Sequence, residues 1–334
     1  MRYQLQTIAR YFDFDLDELK KNIESNYEFT VRGGVSELNN GYMNVNFKLT
    51  TDKGEKVVRI FGEYDKYSLL EMETMEFFGK KGLTAPVVKS KTGKLISDFG
   101  EYKYSVLEFL SGSVPSYSEE TLYRAGKMVG EFVKAMKSLP FKVDRVDRST
   151  VTYKRKSELI RLIEDNMDLL KKILSDEDYE ILEDQNELFA GLNLPLTGIQ
   201  PIHSDIYNMN LLDDGKKSYL LDFEYIGNGP RVIDSISLIG WSLISVVENE
   251  SDKSRALLAK YTKSYTEGFK EFSKFGDADE AFETMIFLNI GDSIYNLEKA
   301  IKAKSNLYRG YLKHWNNVKV LKANEKEIKD LLGL

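Results

Sequence analysis

The chain has 334 residues, 42% hydrophobic and 30% charged, ordinary for a globular protein but long for one core, so two domains are expected. A net charge of −6 provides no basic footprint for nucleic acid or an anionic membrane surface. With no cysteine and only His203 and His314, disulfides, thiolate zinc sites, cysteine nucleophiles and histidine-rich metal sites are excluded. Residues 3–24 read as a helix, because Leu5, Ile8, Ala9, Phe12, Leu16, Leu19 and Ile23 recur at helical spacing. This start lacks the apolar core of a signal peptide, and a cytoplasmic location is the expectation.

From Tyr27 the period changes to two. Strands are expected at 27–32, 44–50 and 56–61, with Asp52-Lys53-Gly54 turning between the last two. A helix follows over 67–80 and ends at Gly82-Leu83-Thr84-Ala85-Pro86. Strands at 87–88, 94–97 and 102–109 complete a mostly antiparallel sheet of about five strands with one inserted helix. The breaker cluster Ser111-Gly112-Ser113-Val114-Pro115-Ser116 then sets the boundary: residues 1–110 form one domain and 111–334 another. Beyond it, helices are expected at 119–139, 156–174, 176–190, 233–247, 252–272, 278–303 and 305–322. The run 233–247 is the longest apolar stretch, but Asp234, Ser235 and Ser237 interrupt it and it is too short to span a bilayer. The charged stretch 324–329 reads as a solvated helix face. The fold class is α+β, a small sheet lobe and a larger, mainly helical one.

The second domain carries the segment Pro201-Ile202-His203-Ser204-Asp205-Ile206-Tyr207-Asn208-Met209-Asn210, and twelve residues after Asn210 comes Asp222 in Leu220-Leu221-Asp222-Phe223-Glu224. Between them, Asp213-Asp214-Gly215-Lys216 is a hairpin signal flanked by apolar residues, which would bring Asn210 and Asp222 opposite each other. An aspartate, an asparagine five residues on and a second aspartate across a hairpin suit phosphoryl transfer, where positioning and charge neutralisation do most of the work. Asp205 can accept a hydroxyl proton. Asn210 and Asp222 are oxygen ligands suited to a hard cation that keeps some of its waters. Asp and Asn near Gly are commonly plain turn residues, and the ordered pair of motifs is what raises this reading above that one.

Upstream, two glycine segments, Gly33-Gly34-Val35-Ser36 and Asn39-Asn40-Gly41-Tyr42-Met43-Asn44, could bring backbone amides close to phosphates; the residues do not decide between them. Arg59 shares a strand face with Val57 and Phe61, which points a cation inward and demands a partner. Glu71 is better placed than Glu73 on the inserted helix, and an Arg59–Glu71 pair could hold the arginine against the α- and β-phosphates.

With these parts in order, the chain resembles the aminoglycoside phosphotransferase, choline/ethanolamine kinase and type II homoserine kinase superfamily, which shares the bilobal protein-kinase-like fold. The resemblance runs over nearly the whole chain. It is carried by the glycine segments, Val57-Val58-Arg59-Ile60-Phe61-Gly62, Glu71, Val106-Leu107-Glu108-Phe109-Leu110-Ser111-Gly112, His203-Ser204-Asp205 with Asn210, and Asp222-Phe223-Glu224-Tyr225 with Asp234 beyond. It implies ATP with Mg²⁺, phosphate contacts from Gly34, Ser36, Gly41 and Asn44, and adenine bound by the backbone of Glu108, Phe109 and Leu110. It further implies Asp205 as catalytic base, Asn210 and Asp222 as metal ligands, and His203 and Asp234 as braces. The departures are Arg59, where many members have lysine, and Lys137, where a histidine is common. Only eleven residues separate Asp222 from Asp234, too few for the activation segment of a protein kinase.

Asp222-Phe223-Glu224-Tyr225 looks like the choline/ethanolamine kinase version of this motif, which implies a small amino-alcohol acceptor beside Asp205, Glu224 and Tyr225. An ammonium group wants carboxylates and aromatic faces, and Trp241, Tyr295, Tyr308, Tyr311, Trp315, Asp292 and Glu298 could contribute. At 12% aromatic content such residues are more commonly core. Homoserine, whose carboxylate Arg231 could meet, and an aminoglycoside are the alternatives. A non-catalytic binding protein of this fold should have lost Asp205, Asn210 or Asp222, and all three are present.

Overall fold

A computed structural model describes residues 2–7, 10–38, 43–194, 196–244, 252–303 and 310–333. The chain forms two compact units, Met1–Gly112 with Leu221–Glu224, and Ser113–Leu220 with Tyr225–Leu334. The short segment carrying Asp222 thus belongs with the first unit, late as it comes in the chain.

The first unit opens on an antiparallel hairpin, β1 (Arg2–Gln6) and β2 (Tyr11–Asp15), and only then turns helical as α1 (Leu16–Asn26). The helix expected over 3–24 is corrected here. In 11–15 the alternation wins: Phe12 and Phe14 are buried while Tyr11 faces outward. Asp15 marks the real helix start, its carboxylate accepting from the amides of Asp17 at 2.8 Å and Glu18 at 3.2 Å. Ile8 and Ala9, which lent the longer helix its spacing, lie outside the described residues.

The main sheet contains β3 (Val31–Glu37), β4 (Val45–Thr51), β5 (Gly54–Ile60), β6 (Val87–Val88), β7 (Ser97–Phe99) and β8 (Tyr102–Glu108), with α2 (Lys66–Lys80) inserted after β5. All pairings are antiparallel, in the order β3-β4-β5-β8-β6 with β7 also on β8. The strand expected at 27–32 begins later and runs through Gly33, Gly34, Val35 and Ser36, with a register shift between Val31 and Val35. Tyr27 and Phe29 still bury their rings, so the alternation holds there without a ladder to accompany it. Similarly, the strand expected at 94–97 sits at Ser97–Phe99. Phe12, Phe14, Phe47, Tyr102 and Tyr104 belong to the core that closes one face of this sheet.

The second unit contains α3 (Glu119–Met136), α4 (Arg148–Lys154), α5 (Lys156–Glu164), α6 (Met167–Ile173), α7 (Asp176–Gly191), β9 (Ile199–Ile202), β10 (Leu211–Asp213), β11 (Ser218–Leu220), β12 (Gly227–Pro230), α8 (Val232–Ser237), α9 (Asp252–Lys270), α10 (Ala278–Ala303), α11 (Gly310–Ala323) and α12 (Glu325–Gly333). The helix expected over 156–174 divides into α5 and α6, and the one over 119–139 stops at Met136. The apolar run from 233 forms α8 and then widens into a π-type segment over Leu238–Leu243. Two small antiparallel pairings frame the site: β10 with β11, and β12 with β9. No helix among the described residues is long and apolar enough to cross a membrane. The α+β class expected from the sequence holds.

Candidate active site

In the second unit, β9 ends at Ile202 and the chain enters the loop His203-Ser204-Asp205. Ser204 has φ 68°, and among the described non-glycine residues only it and Asp222 adopt the left-handed region. Such backbone costs on the order of 1 kcal/mol and persists only where surroundings dictate it. Here the dictating group is Asp234 on α8, fully buried, whose carboxylate accepts from the amides of His203 at 2.7 Å and Ser204 at 2.9 Å. His203 is also fully buried, edge-on to Phe132 of α3, and its Nδ1 accepts from the Asp205 amide at 3.3 Å.

The Asn210 amide nitrogen donates to the Asp205 carboxylate at 2.8 Å and to its carbonyl at 3.0 Å. That bond orients Asp205, and among the described residues no hydrogen bond engages the Asn210 Oδ1. Burial, first, then the carboxylates of Asp147 and Asp205, push Asp234 up to about 7 against the two amides that favour its charge.

In the first unit, Arg59 of β5 is the hub. Its Nη2 lies 3.1 Å from Glu71 on α2, 3.1 Å from Asp222 and 4.0 Å from Glu224. Burial works against the arginine's charge, and Glu71, Asp222 and Glu224 more than offset it, so its pKa is raised. Arg59 and Glu71 are nearly fully buried, whereas Asp222 keeps 39% of its side chain exposed and Glu224 29%. Phe223 stacks on Phe78 of α2 with ring centroids 5.9 Å apart, which pins the Asp222-Phe223-Glu224 segment to the helix that supplies Glu71. The site residues therefore fall into two groups, Asp205 with Asn210 in one unit and Arg59, Glu71, Asp222 and Glu224 in the other. Among the described residues no three histidine or acidic side chains form a cage, so a bound cation would take much of its shell from nucleotide and water.

Of the expected nucleotide contacts, Gly34 and Ser36 lie in β3 rather than in a loop, and both are exposed. Gly41 lies outside the described residues. The Asn44 side chain accepts from the Gly62 amide at 3.2 Å, tying the ends of β4 and β5 together. At the end of β8 the Glu108 amide donates to Pro86 at 2.9 Å and the Phe109 amide to Glu55 at 3.2 Å, which leaves the Leu110 amide free of such a bond. The Glu108 carboxylate is 2.8 Å from Lys56 Nζ.

The residues expected to cage an ammonium group are largely engaged already. Glu298 is 5% exposed and held at 2.6 Å by both Arg155 and Lys302. Asp292 is held at 2.9 Å by Arg148, and the Tyr225 ring has Arg148 and Arg145 at 5.6 and 5.7 Å. Trp315 is a core residue, 8% exposed. Tyr308 and the Tyr311 side chain lie outside what is described. Arg231 donates to the Lys274 carbonyl at 3.2 Å. Sequence reasoning passed over Asp147 and Arg148, although Asp147-Arg148-Ser149-Thr150 has the form of a helix start.

Residues 34–272 match the sequence profile of the phosphotransferase enzyme family. No curated protein sequence matches the chain. Among solved structures it is similar to an amicoumacin kinase in complex with AMP-PNP, Ca²⁺ and Ami, at 16% identity and TM-score 0.63, covering 95% of this chain and 94% of that one. A spectinomycin phosphotransferase with ADP and spectinomycin follows at 11% identity and TM-score 0.58, covering 95% and 99%. A choline kinase from Cryptosporidium parvum Iowa II aligns at 14% identity and TM-score 0.54, covering 93% and 97%. At these identities the likeness establishes the fold.

Proposed function

The chain belongs to the phosphotransferase enzyme family, and from that premise we propose that this small-molecule kinase moves the γ-phosphate of ATP to the hydroxyl of a small amino-alcohol, with Asp205 as its base. The observation that carries the base role is the Asp205 carboxylate itself. One of its oxygens is fixed by the Asn210 amide at 2.8 Å, and its loop is braced by buried Asp234 and His203. A carboxylate so oriented suits the role of taking the acceptor's proton as the hydroxyl oxygen attacks phosphorus.

Asn210 Oδ1 and the Asp222 carboxylate fit a hard cation by donor chemistry, and Mg²⁺ is the ion we assign to them. When bound, Mg²⁺ would neutralise phosphate charge. Arg59, anchored by Glu71, supplies a fixed guanidinium to the phosphates, with Gly34, Ser36, Gly41 and Asn44 as the strand and loop that cover them. The Leu110 amide, between backbone atoms of Glu108 and Phe109 and the boundary segment, is the donor offered to adenine. The AMP-PNP and Ca²⁺ of the amicoumacin kinase complex support an ATP-type nucleotide with a hard cation. Dependence on ATP supports the cytoplasmic location expected from the sequence.

The choline kinase neighbour supports the amino-alcohol, and Glu224, with 29% of its side chain exposed, is the carboxylate proposed for the ammonium; Tyr225 flanks it in sequence. ATP consumption with choline, ethanolamine, homoserine and an aminoglycoside tests this, using wild type and Glu224→Gln. The variant should raise KM for the ammonium alcohols far more than KM for ATP. Rapid turnover of an aminoglycoside with none of the small alcohols would overturn the acceptor and leave the kinase.

A further inference from the structure

We propose that Arg148 is an anion-binding residue of the acceptor site, so that the alcohol this kinase phosphorylates also carries a carboxylate, or a comparable oxyanion, a few atoms from its reacting hydroxyl. This rests on the base role given to Asp205 and narrows the acceptor from amino-alcohols at large to those that are also anionic.

Arg148 is held where it is from both ends. Its backbone follows Asp147, a fully buried carboxylate that accepts from the amides of Ser149 at 2.9 Å and Thr150 at 3.3 Å. The Asp147 amide in turn donates to the Asn228 carbonyl of β12 at 3.1 Å. The approach is so close that a Cβ on Gly229 would lie 2.2 Å from Asp147 Oδ2. The arginine's first turn is therefore fixed to β12, which pairs with β9, the strand that leads into His203 and Asp205.

The side chain is fixed as well. Its Nη2 donates to Asp292 Oδ1 at 2.9 Å, and its Cζ lies 5.6 Å from the Tyr225 ring and 5.7 Å from the Tyr295 ring. Asp205 is near enough that, after burial and Asp292, it is the next influence on the guanidinium's pKa. Yet the side chain remains 33% exposed, and only Nη2 has a hydrogen-bond partner among the described residues.

A guanidinium presents donors along two edges, and Asp292 occupies part of one. What remains is a rigid, reachable set of donors beside the base. That geometry suits a planar carboxylate, because little side-chain entropy is left to lose on pairing. A bare ammonium would have to share the Tyr225 ring with two guanidinium groups, Arg148 at 5.6 Å and Arg145 at 5.7 Å.

The test uses the purified full chain with Mg·ATP and five alcohols: ethanolamine, 4-hydroxybutyrate, serine, homoserine and glycerol 3-phosphate. Turnover and calorimetric binding are measured for wild type, Arg148→Lys and Arg148→Met, with thermal melts to confirm that each variant folds. We expect serine or homoserine to be preferred over ethanolamine. Arg148→Met should raise KM and Kd for the anionic alcohols by about 10–100-fold, the worth of a hydrogen-bonded charge pair, with a much smaller change in KM for ATP and no comparable rise in KM for ethanolamine. Arg148→Lys, which keeps charge without the fork, should recover part of the loss. If glycerol 3-phosphate alone shows this dependence, the anion is a phosphate rather than a carboxylate.

The proposal is overturned if no anionic alcohol binds wild type, or if Arg148→Met lowers kcat equally on every acceptor, which would put the arginine on the transferred phosphoryl group. Ethanolamine used efficiently with anionic alcohols ignored also overturns it, while the amino-alcohol kinase stands. Conversely, Arg148-dependent binding without Asp205-dependent phosphorylation would support the anion site and remove the proposed function.

Discussion

Around Arg59 the first unit gathers one buried cation and three carboxylates, whereas around Asp205 the second unit sets the Asn210 amide, the His203 imidazole and backbone amides held by buried Asp234. The first arrangement is charge met by charge. It is well suited to hold highly charged phosphates and a cation, and ill suited to tolerate the loss of a partner, since a buried ion left alone is costly. The second is charge met by dipoles. The Asn210 side chain orients the Asp205 carboxylate, and the backbone amides of its loop are held by Asp234, an arrangement suited to a group that must take a proton. Among the described residues Arg148 feels the charge of Asp205, and it gives its hydrogen bond to Asp292.

The largest expected effect tests the second region. Asp205→Asn should leave the fold and ATP affinity nearly intact while kcat falls by roughly 10²–10⁴, the usual contribution of a positioned base. Retention of near-full turnover, read by steady-state kinetics, would remove Asp205 from the role. The first region should fail differently. Arg59→Met strands Glu71 in the interior beside Asp222, and unfolding free energy should drop by about 3–5 kcal/mol, as for other buried pairs broken from one side. Urea melts decide it. A loss below about 1 kcal/mol would show that the cluster is hydrated enough to screen itself.

Asp222→Ala probes the same cluster without that structural penalty, because Asp222 is partly exposed. Calorimetric titration of Mg·ATP should show little remaining affinity for the metal-bound nucleotide. Equal affinities in wild type and variant would place the cation elsewhere.

Between the two regions in magnitude stands a packing test. Gly229→Ala would set a Cβ against the Asp147 carboxylate, and overpacking at so close an approach costs about 1–3 kcal/mol. If Asp147 fixes Arg148 as described, the variant should also weaken acceptor binding more than ATP binding. A purely global loss of stability, with the acceptor KM unmoved, would uncouple Asp147 from the acceptor.

How much of this was legible in the sequence divides along the same line. Asp205 and Asn210 lie five residues apart, so a single loop brings them together and the motif announces the contact. Arg59 and Glu71 were also readable, because strand alternation and helical period each gave a facing direction. The N-terminal hairpin was not, since Leu5 and Phe12 fit a helical spacing as well as an alternation, and only pairing between β1 and β2 breaks the tie. Nor was the ammonium cage. A sequence shows that Asp292, Glu298 and Tyr225 exist, but not that Arg148, Arg155 and Lys302 reach them first. Those cations come from other elements, and their contacts depend on tertiary packing that no local pattern encodes.

The test that most sharpens the contrast concerns Asp234. It sits at 0% exposure beneath the catalytic loop, and burial raises its pKa from 3.8 to about 7. In the unfolded chain the group gives up its proton near 3.8; in the folded chain it holds that proton until about 7. Between those values the folded state binds more protons, so its stability falls as pH rises through the window and levels off above it. Asp234→Asn removes this titration and keeps one acceptor for the amides of His203 and Ser204. The stability of wild type minus that of Asp234→Asn should therefore be most favourable below pH 3.8, decline steadily toward pH 7 and stay flat beyond. Paired thermal melts across that range read the difference directly and cancel the other titrating groups. A difference that does not change with pH would mean that Asp234 titrates alike in the folded and unfolded chain and is ionised at neutral pH, its burial fully offset by the two backbone amides. The loop would then be held by an anion, much as Asp222 is held by Arg59, and the electrostatic contrast between the two regions would shrink to Asp205 alone.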